Sequence, residues 1–322
     1  MKKYVDRILG VGAGLIGLAC LSVYTDQESV PSAAPRTFLL VVGKAKVGDP
    51  VQQQERAMAA PRKISEAMAI WTGVEADILI DEAMTPKGYR QRLMEEKVTR
   101  SIFKERLKRL AKTATPADTV VIYTHSHGRR NGFEESQPLG GIVLDLPIQH
   151  PEHQGTLLWD EYVDLLLEIP AKNVVVLTMA CFSGGLVEYL GSPQMQTRWK
   201  ERCKKGRNLI ILTSQNKDLP SSPVMKDGEV INPFTYAVAK TFNGEADGFA
   251  PESGTAGEKD GRLTAGELVD YILHTTETTV SEAPRRRNSA EPQLTGSFNR
   301  AKVLFVRASP IIGSGQTQKT LP

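Results

Sequence analysis

The sequence predicts an α/β protein, a single three-layer domain with a mostly parallel sheet of about six strands flanked by helices. Two observations support this prediction: near-continuous apolar runs recur along the chain, and longer stretches with helical spacing separate them. Strands that are apolar throughout are buried on both faces, which is typical of parallel sheets covered by helices on both sides. The 40% apolar and 24% charged content of the 322 residues is that of a packed globular protein.

The predicted elements alternate in chain order. Apolar or β-branched runs predict strands over residues 38–43, 76–80, 119–125, 173–179, 208–214 and 301–306. Helical spacing predicts helices over residues 51–72, 89–112, 159–169, 233–244 and 263–276. No internal repeat and no sharp boundary interrupts this alternation, so we expect one domain over residues 36–308, followed by a flexible tail over residues 309–322.

The first 35 residues differ in composition from the rest of the chain. Three basic residues precede an uncharged apolar run over residues 8–24, and acidic residues follow it. This order of charges predicts a signal peptide or a membrane anchor, with its linker, over residues 1–35 and a body exported to the periplasm or the extracellular space. The run is shorter than the about 20 residues that a spanning helix needs. Lipid attachment at Cys20 and a buried amino-terminal helix are the alternatives.

The overall charge argues against one broad class of partner. With 40 basic and 37 acidic residues the net charge is +3, and so small an imbalance predicts no general affinity for nucleic acid. A membrane tether is expected only through residues 8–24, and the pattern predicts no oligomeric state.

Reactive side chains follow two of the predicted strands. His125, His127 and Gly128 lie at the end of the strand over residues 119–125, and Cys181 follows the next strand along the chain. Because the carboxyl ends of parallel strands open onto a shared crevice, neighbouring strands would bring the thiol and an imidazole together. An adjacent imidazole makes a cysteine nucleophilic by removing its proton or by stabilising the thiolate. Taken alone, a cysteine or a histidine at a strand end is more often a packing or surface residue.

Small residues adjoin both reactive positions. The residues after Cys181 suit a tight strand-to-helix turn whose backbone N–H groups could hold an oxyanion, and Gly128 would let backbone approach the same place. If the strand continues to Gly128, His125 and His127 share one face. His127 lies nearer the strand end, so we predict that His127 takes part in the reaction and that His125 supports the site or packs beneath it.

Two sequence blocks resemble those of a known group of cysteine peptidases. The blocks are THSHG over residues 124–128 and MACFSGG over residues 179–185, and their histidine and cysteine are about 50 residues apart. They resemble the matching blocks of the caspase, metacaspase and legumain group, and later segments agree with that group in order. The resemblance covers residues 36–308 and implies a caspase-like peptidase domain.

The resemblance implies a role for each matching residue. Cys181 would be the nucleophile and His127 the general acid and base, and the backbone N–H groups of Gly128 and Cys181 would form the oxyanion hole. The implied activity is cleavage of peptide bonds in a protein or peptide through an acyl-enzyme, or transfer of the acyl group to an amine, without a cofactor. Met179 stands where many relatives have a polar or acidic residue near the specificity pocket, so the preference for the residue before the scissile bond is not predicted.

Two other functions stay open at this point. The histidine pairs at 125 and 127 and at 150 and 153 could bind zinc in a metal-dependent hydrolase, although Arg129 and Arg130 follow the first pair and cations beside a dication are unfavourable. The second alternative is a catalytically inactive caspase-like binding module.

One further motif has two interpretations. Residues 258–268 are similar to the second half of a calcium-binding EF-hand loop, but Ala256 stands where the first carboxylate should be. We instead predict that Thr264 and Glu267 form a capping box at the start of a helix.

Overall fold

A computed structural model of the protein describes residues 34–45, 51–80, 98–130, 140–144, 155–202, 206–283 and 290–308. The predicted export segment, the predicted tail, both histidines of the 150–153 pair and Cys203 lie outside the described residues.

The elements within these ranges are numbered in chain order. The strands are β1 (Thr37–Gly43), β2 (Val74–Ile80), β3 (Thr119–His125), β4 (His127–Arg129), β5 (Gly141–Val143), β6 (Thr156–Leu158), β7 (Asn173–Met179), β8 (Asn208–Thr213), β9 (Val224–Lys226), β10 (Glu229–Ile231), β11 (Phe249–Ala250), β12 (Thr255–Ala256), β13 (Arg262–Thr264), β14 (Gln293–Ser297) and β15 (Val303–Val306). The α-helices are α1 (Val51–Met68), α2 (Arg100–Thr113), α3 (Trp159–Glu168), α4 (Gly184–Gly191), α5 (Pro193–Arg202), α6 (Pro233–Lys240) and α7 (Ala265–Ser281).

Six strands form the central sheet in the order β14, β8, β7, β3, β1, β2. The neighbouring pairs from β8 to β2 are all parallel, and only β14 runs antiparallel to its neighbour. The predicted α/β class, with a mostly parallel sheet of about six strands, is therefore confirmed. In the three middle strands Gly43, His125 and Met179 lie side by side, so β1, β3 and β7 end at the same level.

Each central strand sends alternate side chains into two separate cores. In β3, Val120 and Ile122 lie in the core beneath helices α2 to α5, whereas Val121 and Tyr123 lie in the core beneath α1, α6 and α7. All four side chains are fully buried, and burying an apolar side chain of this size stabilises the fold by about 1.5–3 kcal/mol. Because both faces of these strands are buried, their sequences are apolar at nearly every position.

The sixth strand of the sheet is not the predicted one. The run over residues 301–306 does form β15, but β15 pairs antiparallel with β13 outside the central sheet. The sixth place is taken by β14, whose sequence QLTGS is polar and whose residues are half-buried or exposed. An edge strand has a neighbour on one side only, so it needs no apolar run. Gly296 in β14 passes so close to the carbonyl oxygen of Leu209 that a Cβ atom would lie 2.0 Å from it.

Several helices differ from their predicted bounds. The first helix ends at Met68, and the backbone of Trp71 then bridges to Arg307. Residues 89–97 of the predicted second helix lie outside the described residues, and the helix that is described begins at Arg100, where the Thr99 side chain accepts a hydrogen bond from the N–H of Ile102. The helix from residue 233 continues after Lys240 as a π-helical turn. Among the helices that the structure describes, none combines the length and apolarity needed to cross a membrane.

The EF-hand-like segment forms a helix cap. The Oγ1 atom of Thr264 accepts from the N–H of Glu267 at 3.2 Å, and the carboxylate of Glu267 accepts from the N–H of Thr264 at 2.8 Å. The other oxygen of Glu267 accepts from the N–H of Gly248 at 2.9 Å. The nearby carboxylate of Asp247 accepts from two backbone N–H groups at 3.0 Å. The predicted capping box is therefore present, and both carboxylates bind backbone.

We expect the Thr264→Ala substitution to lower the free energy of unfolding by about 1 kcal/mol, because it removes the cap of α7. Urea denaturation of both proteins measures this difference. Glu277→Ala, at an exposed position of the same helix, is the control and should change stability much less. A rise in the unfolding midpoint on adding calcium would contradict the assignment of this segment as a cap.

Candidate active site

The carboxyl ends of three parallel strands form one edge of a cleft. The ladder of hydrogen bonds continues past the strands, because the N–H of Lys44 donates to the carbonyl of His125 at 2.8 Å and the N–H of Ser126 donates to that of Met179 at 3.1 Å. The cleft holds about 140 Å³. Its described lining residues are Lys44, Ala45, Arg56, Ala57, His125, Ser126, His127, Met179, Cys181, Ser221, Pro223 and Asn232. The structure therefore brings His127 and Cys181, predicted from separate strands, into the same cleft.

The two histidines do not lie on one strand. The chain bends at Ser126, whose hydroxyl donates to the carbonyl of Val143, and His127 starts a new strand that pairs antiparallel with β5. The premise that the strand continues to Gly128 is therefore wrong. The bend separates the environments of the two side chains, because His125 is buried whereas His127 is only half-buried.

Gly128 contacts the backbone of the cysteine directly. A Cβ atom at this position would lie 1.7 Å from the carbonyl oxygen of Cys181 and 3.1 Å from its backbone nitrogen. No side chain fits there, so glycine is the residue that permits this approach. The contact brings together Gly128 and Cys181, the two residues whose N–H groups we predicted to form an oxyanion hole.

The turn after β7 packs closely against the segment that follows β8. Phe182 has a positive φ of 57°, and α4 begins two residues later at Gly184. The buried Ser214 hydroxyl lies 3.2 Å from the backbone nitrogen of Ala180 and 3.3 Å from its carbonyl oxygen, so it can bind both groups. At Gly184 a Cβ atom would lie 2.6 Å from the backbone of Asn216 and Lys217. The expected strand-to-helix turn is therefore present, and the segment directly after β8 contacts it.

The loop after β8 completes the surroundings of the cysteine. The N–H of Ser221 donates to the Sγ atom of Cys181 at 3.3 Å, and the side-chain amide of Asn232 donates to the hydroxyl of Ser221 at 3.0 Å. The side-chain oxygen of Asn232 also accepts from the N–H of Thr235 and so caps α6. Sequence reasoning missed both residues. The Asn-Pro start of a predicted helix was the available signal for Asn232, and Ser221 had none.

The thiol of Cys181 lies in surroundings that favour its protonated form. Burial raises its pKa above the ordinary value, and the N–H groups of Ser221, Cys181 itself and Gly128 oppose the rise only in part. A thiol of this kind needs a base to become a strong nucleophile. The half-buried imidazole of His127 lies in the same cleft.

His125 lies in the lining of the cleft as a buried, uncharged side chain. Its Nδ1 atom is 3.4 Å from the hydroxyl of Tyr123, which is hydrogen-bonded to Thr235 at 2.8 Å. Burial lowers the pKa of His125 to about 3, with smaller contributions from His127 and Arg56. His125 is buried, as expected, but it also lines the same cleft as His127 and Cys181.

A metal centre finds no support in the part of the chain that the structure describes. No group of three or more histidine, cysteine or carboxylate side chains there could hold a metal ion. The second histidine pair of the zinc alternative lies outside the described residues.

No protein-family model matches the sequence, and no curated protein matches it. Two solved structures are similar to the chain in overall fold. One is a structural-genomics protein from Geobacter sulfurreducens, with 16% identity and a TM-score of 0.47 over 82% of this chain and 94% of that chain. The other is caspase-1 from Spodoptera frugiperda, with 11% identity and a TM-score of 0.46 over 86% of this chain and 91% of that chain. Neither similarity is high enough to assign a family or an activity.

We expect His125 to make the protein sensitive to acid. The unfolded chain takes up a proton on this residue near its ordinary pKa of 6.5, whereas the folded protein does so only near pH 3. Protons therefore favour the unfolded state between these values, and at pH 4 the loss of stability from this residue is on the order of 3 kcal/mol. Urea denaturation between pH 4 and pH 8 should show a smaller loss for the His125→Gln variant.

The control for this measurement is His274→Gln, which makes the same change outside the cleft and should keep the acid sensitivity of the parent protein. If His125→Gln loses stability toward pH 4 as steeply as the parent does, the assignment of a buried neutral His125 is wrong.

Proposed function

We propose that the protein is a cysteine endopeptidase that cleaves peptide bonds through an acyl-enzyme, with Cys181 as the nucleophile and His127 as the general acid and base. The observation that supports it best is the contact between Gly128 and the backbone of Cys181. That contact joins the segment with the imidazole to the turn with the thiol. Acyl transfer needs a nucleophile, a base and oxyanion donors in one place, and these residues could supply all three.

The first half of the reaction starts from the protonated thiol and forms the acyl-enzyme. His127 accepts the proton of the Sγ–H group, and the sulfur attacks the carbonyl carbon of the scissile bond. The negative charge that develops on the carbonyl oxygen is stabilised by the N–H groups of Gly128 and Cys181. When the C–N bond breaks, His127 returns the proton to the leaving amine, and the acyl group stays on Cys181 as a thioester.

The second half releases the acyl group. His127 accepts a proton from a water molecule, the resulting hydroxyl attacks the thioester carbon, and the carboxylic acid product leaves as the C–S bond breaks. The sulfur then regains its proton from His127. Transfer to an amine follows the same route with the amine in place of water, so analysis of the products with an added amine distinguishes an endopeptidase from a transpeptidase.

We expect Cys181→Ala to abolish turnover and His127→Ala to lower it by about 10²–10⁴-fold, the range typical of losing a general acid–base. Both variants should keep the fold, because both side chains are only half-buried. The measurement is cleavage of a peptide library by the purified full chain, with products identified by mass spectrometry. Circular dichroism checks that each variant is folded.

Matched controls make the same changes elsewhere in the chain. Cys203→Ala and His274→Ala should cleave the library at nearly the parental rate. Full activity in a folded Cys181→Ala variant would refute the peptidase function. The binding module would be favoured by two results together. The folded parent protein would not cleave the library, and iodoacetamide would alkylate its Cys181 no faster than it alkylates Cys181 in the His127→Ala variant.

We further propose that the body of the protein acts outside the cytosol, because basic residues precede the apolar run over residues 8–24 and acidic residues follow it. An enzyme reporter that functions only after export, fused behind residue 40, should be active. The same fusion without residues 1–35 is the control and should be silent. Activity of a second reporter that functions only in the cytosol, fused behind residue 40, would contradict the proposed export.

A further inference from the structure

The start of helix α6 is joined to the thiol by two hydrogen bonds in series. The side-chain amide of Asn232 donates to the hydroxyl of Ser221 at 3.0 Å. The backbone N–H of Ser221 in turn donates to the Sγ atom of Cys181 at 3.3 Å. The two bonds connect residues that are 11 and 40 positions apart in the chain, and all three residues line the cleft. The connection therefore depends on the tertiary fold.

Asn232 is itself held firmly in place. It is only 7% exposed, and buried polar groups in proteins nearly always have hydrogen-bond partners. Its Oδ1 atom accepts from the N–H of Thr235 at 3.0 Å and so caps α6. The Oγ1 atom of Thr235 is bonded to the hydroxyl of Tyr123 in β3 at 2.8 Å. Because the cap uses the amide oxygen, the amide nitrogen is the atom that faces Ser221, from a helix start that is tied to the central sheet.

The N–H of Ser221 differs from the other N–H groups near the sulfur. Those of Gly128 and Cys181 also favour the thiolate, but in the proposed reaction they bind the oxygen of the attacked carbonyl. The N–H of Ser221 belongs to the loop after β8 and has no part in that oxyanion hole. A hydrogen bond to a charged acceptor is stronger than one to a neutral acceptor, so this bond strengthens when the thiol loses its proton.

We propose that Asn232 is a positioning residue for Cys181: it holds Ser221 in the place from which the Ser221 N–H stabilises the thiolate. The thiolate forms when His127 accepts the thiol proton. The role of Asn232 in turnover rests on the proposed peptidase function, whereas its effect on the thiol does not depend on any substrate and can be measured without one.

Two variants break the connection at opposite ends. In Asn232→Ser the serine hydroxyl can still cap α6, but it is too short to replace the amide that binds Ser221. In Ser221→Ala the backbone N–H remains, but the hydroxyl that Asn232 binds is lost. Ser221 is only half-buried, so Ser221→Ala leaves the core unchanged. Circular dichroism checks that both variants are folded.

The measurement is the rate at which iodoacetamide alkylates Cys181 in the full chain between about pH 5 and pH 10. Mass spectrometry of the peptide that contains Cys181 follows this residue separately from the other cysteines. The thiolate is the form that reacts, so the midpoint of the rate profile reports the pKa of the thiol. We expect each variant to raise this midpoint by about one pH unit, because support for the charged sulfur is weakened. Below both midpoints, alkylation should then be about tenfold slower than in the parent protein.

The double variant tests whether the two residues act through one connection. Ser221→Ala combined with Asn232→Ser should raise the midpoint no further than either change alone, because both changes break the same link. The basic and titratable side chains that line the cleft with the thiol are unchanged in all three variants: Lys44, Arg56, His125 and His127.

Two controls separate positioning from a general loss of stability. Ser222→Ala removes a hydroxyl from the same loop, at a residue outside the described lining of the cleft. Thr264→Ala removes a helix cap from α7, also outside that lining. Both variants should keep the parental midpoint, although Thr264→Ala lowers the free energy of unfolding.

The outcomes distinguish this proposal from the peptidase function. Midpoints at or below the parental value in folded Asn232→Ser and Ser221→Ala would overturn the role of Asn232, and so would additive shifts in the double variant. Cleavage that depends on Cys181 and His127 would still support the peptidase in that case. Raised midpoints in a protein that cleaves no peptide of the library would support the positioning of the thiol and count against the peptidase.

Discussion

The parallel register of β1, β3 and β7 is the constraint on which the rest of the structure depends. Gly43, His125 and Met179 occupy the same level of the sheet, so the three segments that follow them leave the sheet at one edge. Each segment then turns toward the cleft: Lys44 after β1, His127 after the bend at Ser126, and Cys181 after β7. A shift of one residue in β1, β3 or β7 would exchange the two faces of that strand and move each of its side chains into the opposite core, so the packing of both cores specifies the register.

The cysteine turn illustrates how the sheet supports chemistry at its edge. A positive φ at Phe182 is an unfavourable conformation for a residue with a side chain. Hydrogen bonds before and at this residue hold the conformation. The hydroxyl of Ser214 binds the backbone of Ala180, and the N–H of Phe182 donates to the carbonyl of Leu219. This arrangement keeps the thiol half-buried and fixed, which raises its pKa. A raised pKa lowers the thiolate fraction, and the thiolate is the form that is oxidised most easily.

Charge and burial divide the cleft into distinct parts. His125 and Lys44 are both buried residues of the lining, and burial keeps His125 neutral. The pKa of His125 is low mainly because burial removes solvent from the ring. Repulsion from His127 and Arg56 lowers it further.

The sequence by itself determined what depends on local pattern: the five parallel strands, most of the helices, the capping box at Thr264, and the prediction that His127 and Cys181 follow two of the strands. Tertiary structure decided the rest. The strand β14 is polar because an edge strand has only one neighbour, so no periodicity marked it. The bend at Ser126 depends on a carbonyl 17 residues away. Lys44, Ser221 and Asn232 enter the cleft from three separate segments, and only the packing of the whole chain brings distant residues together.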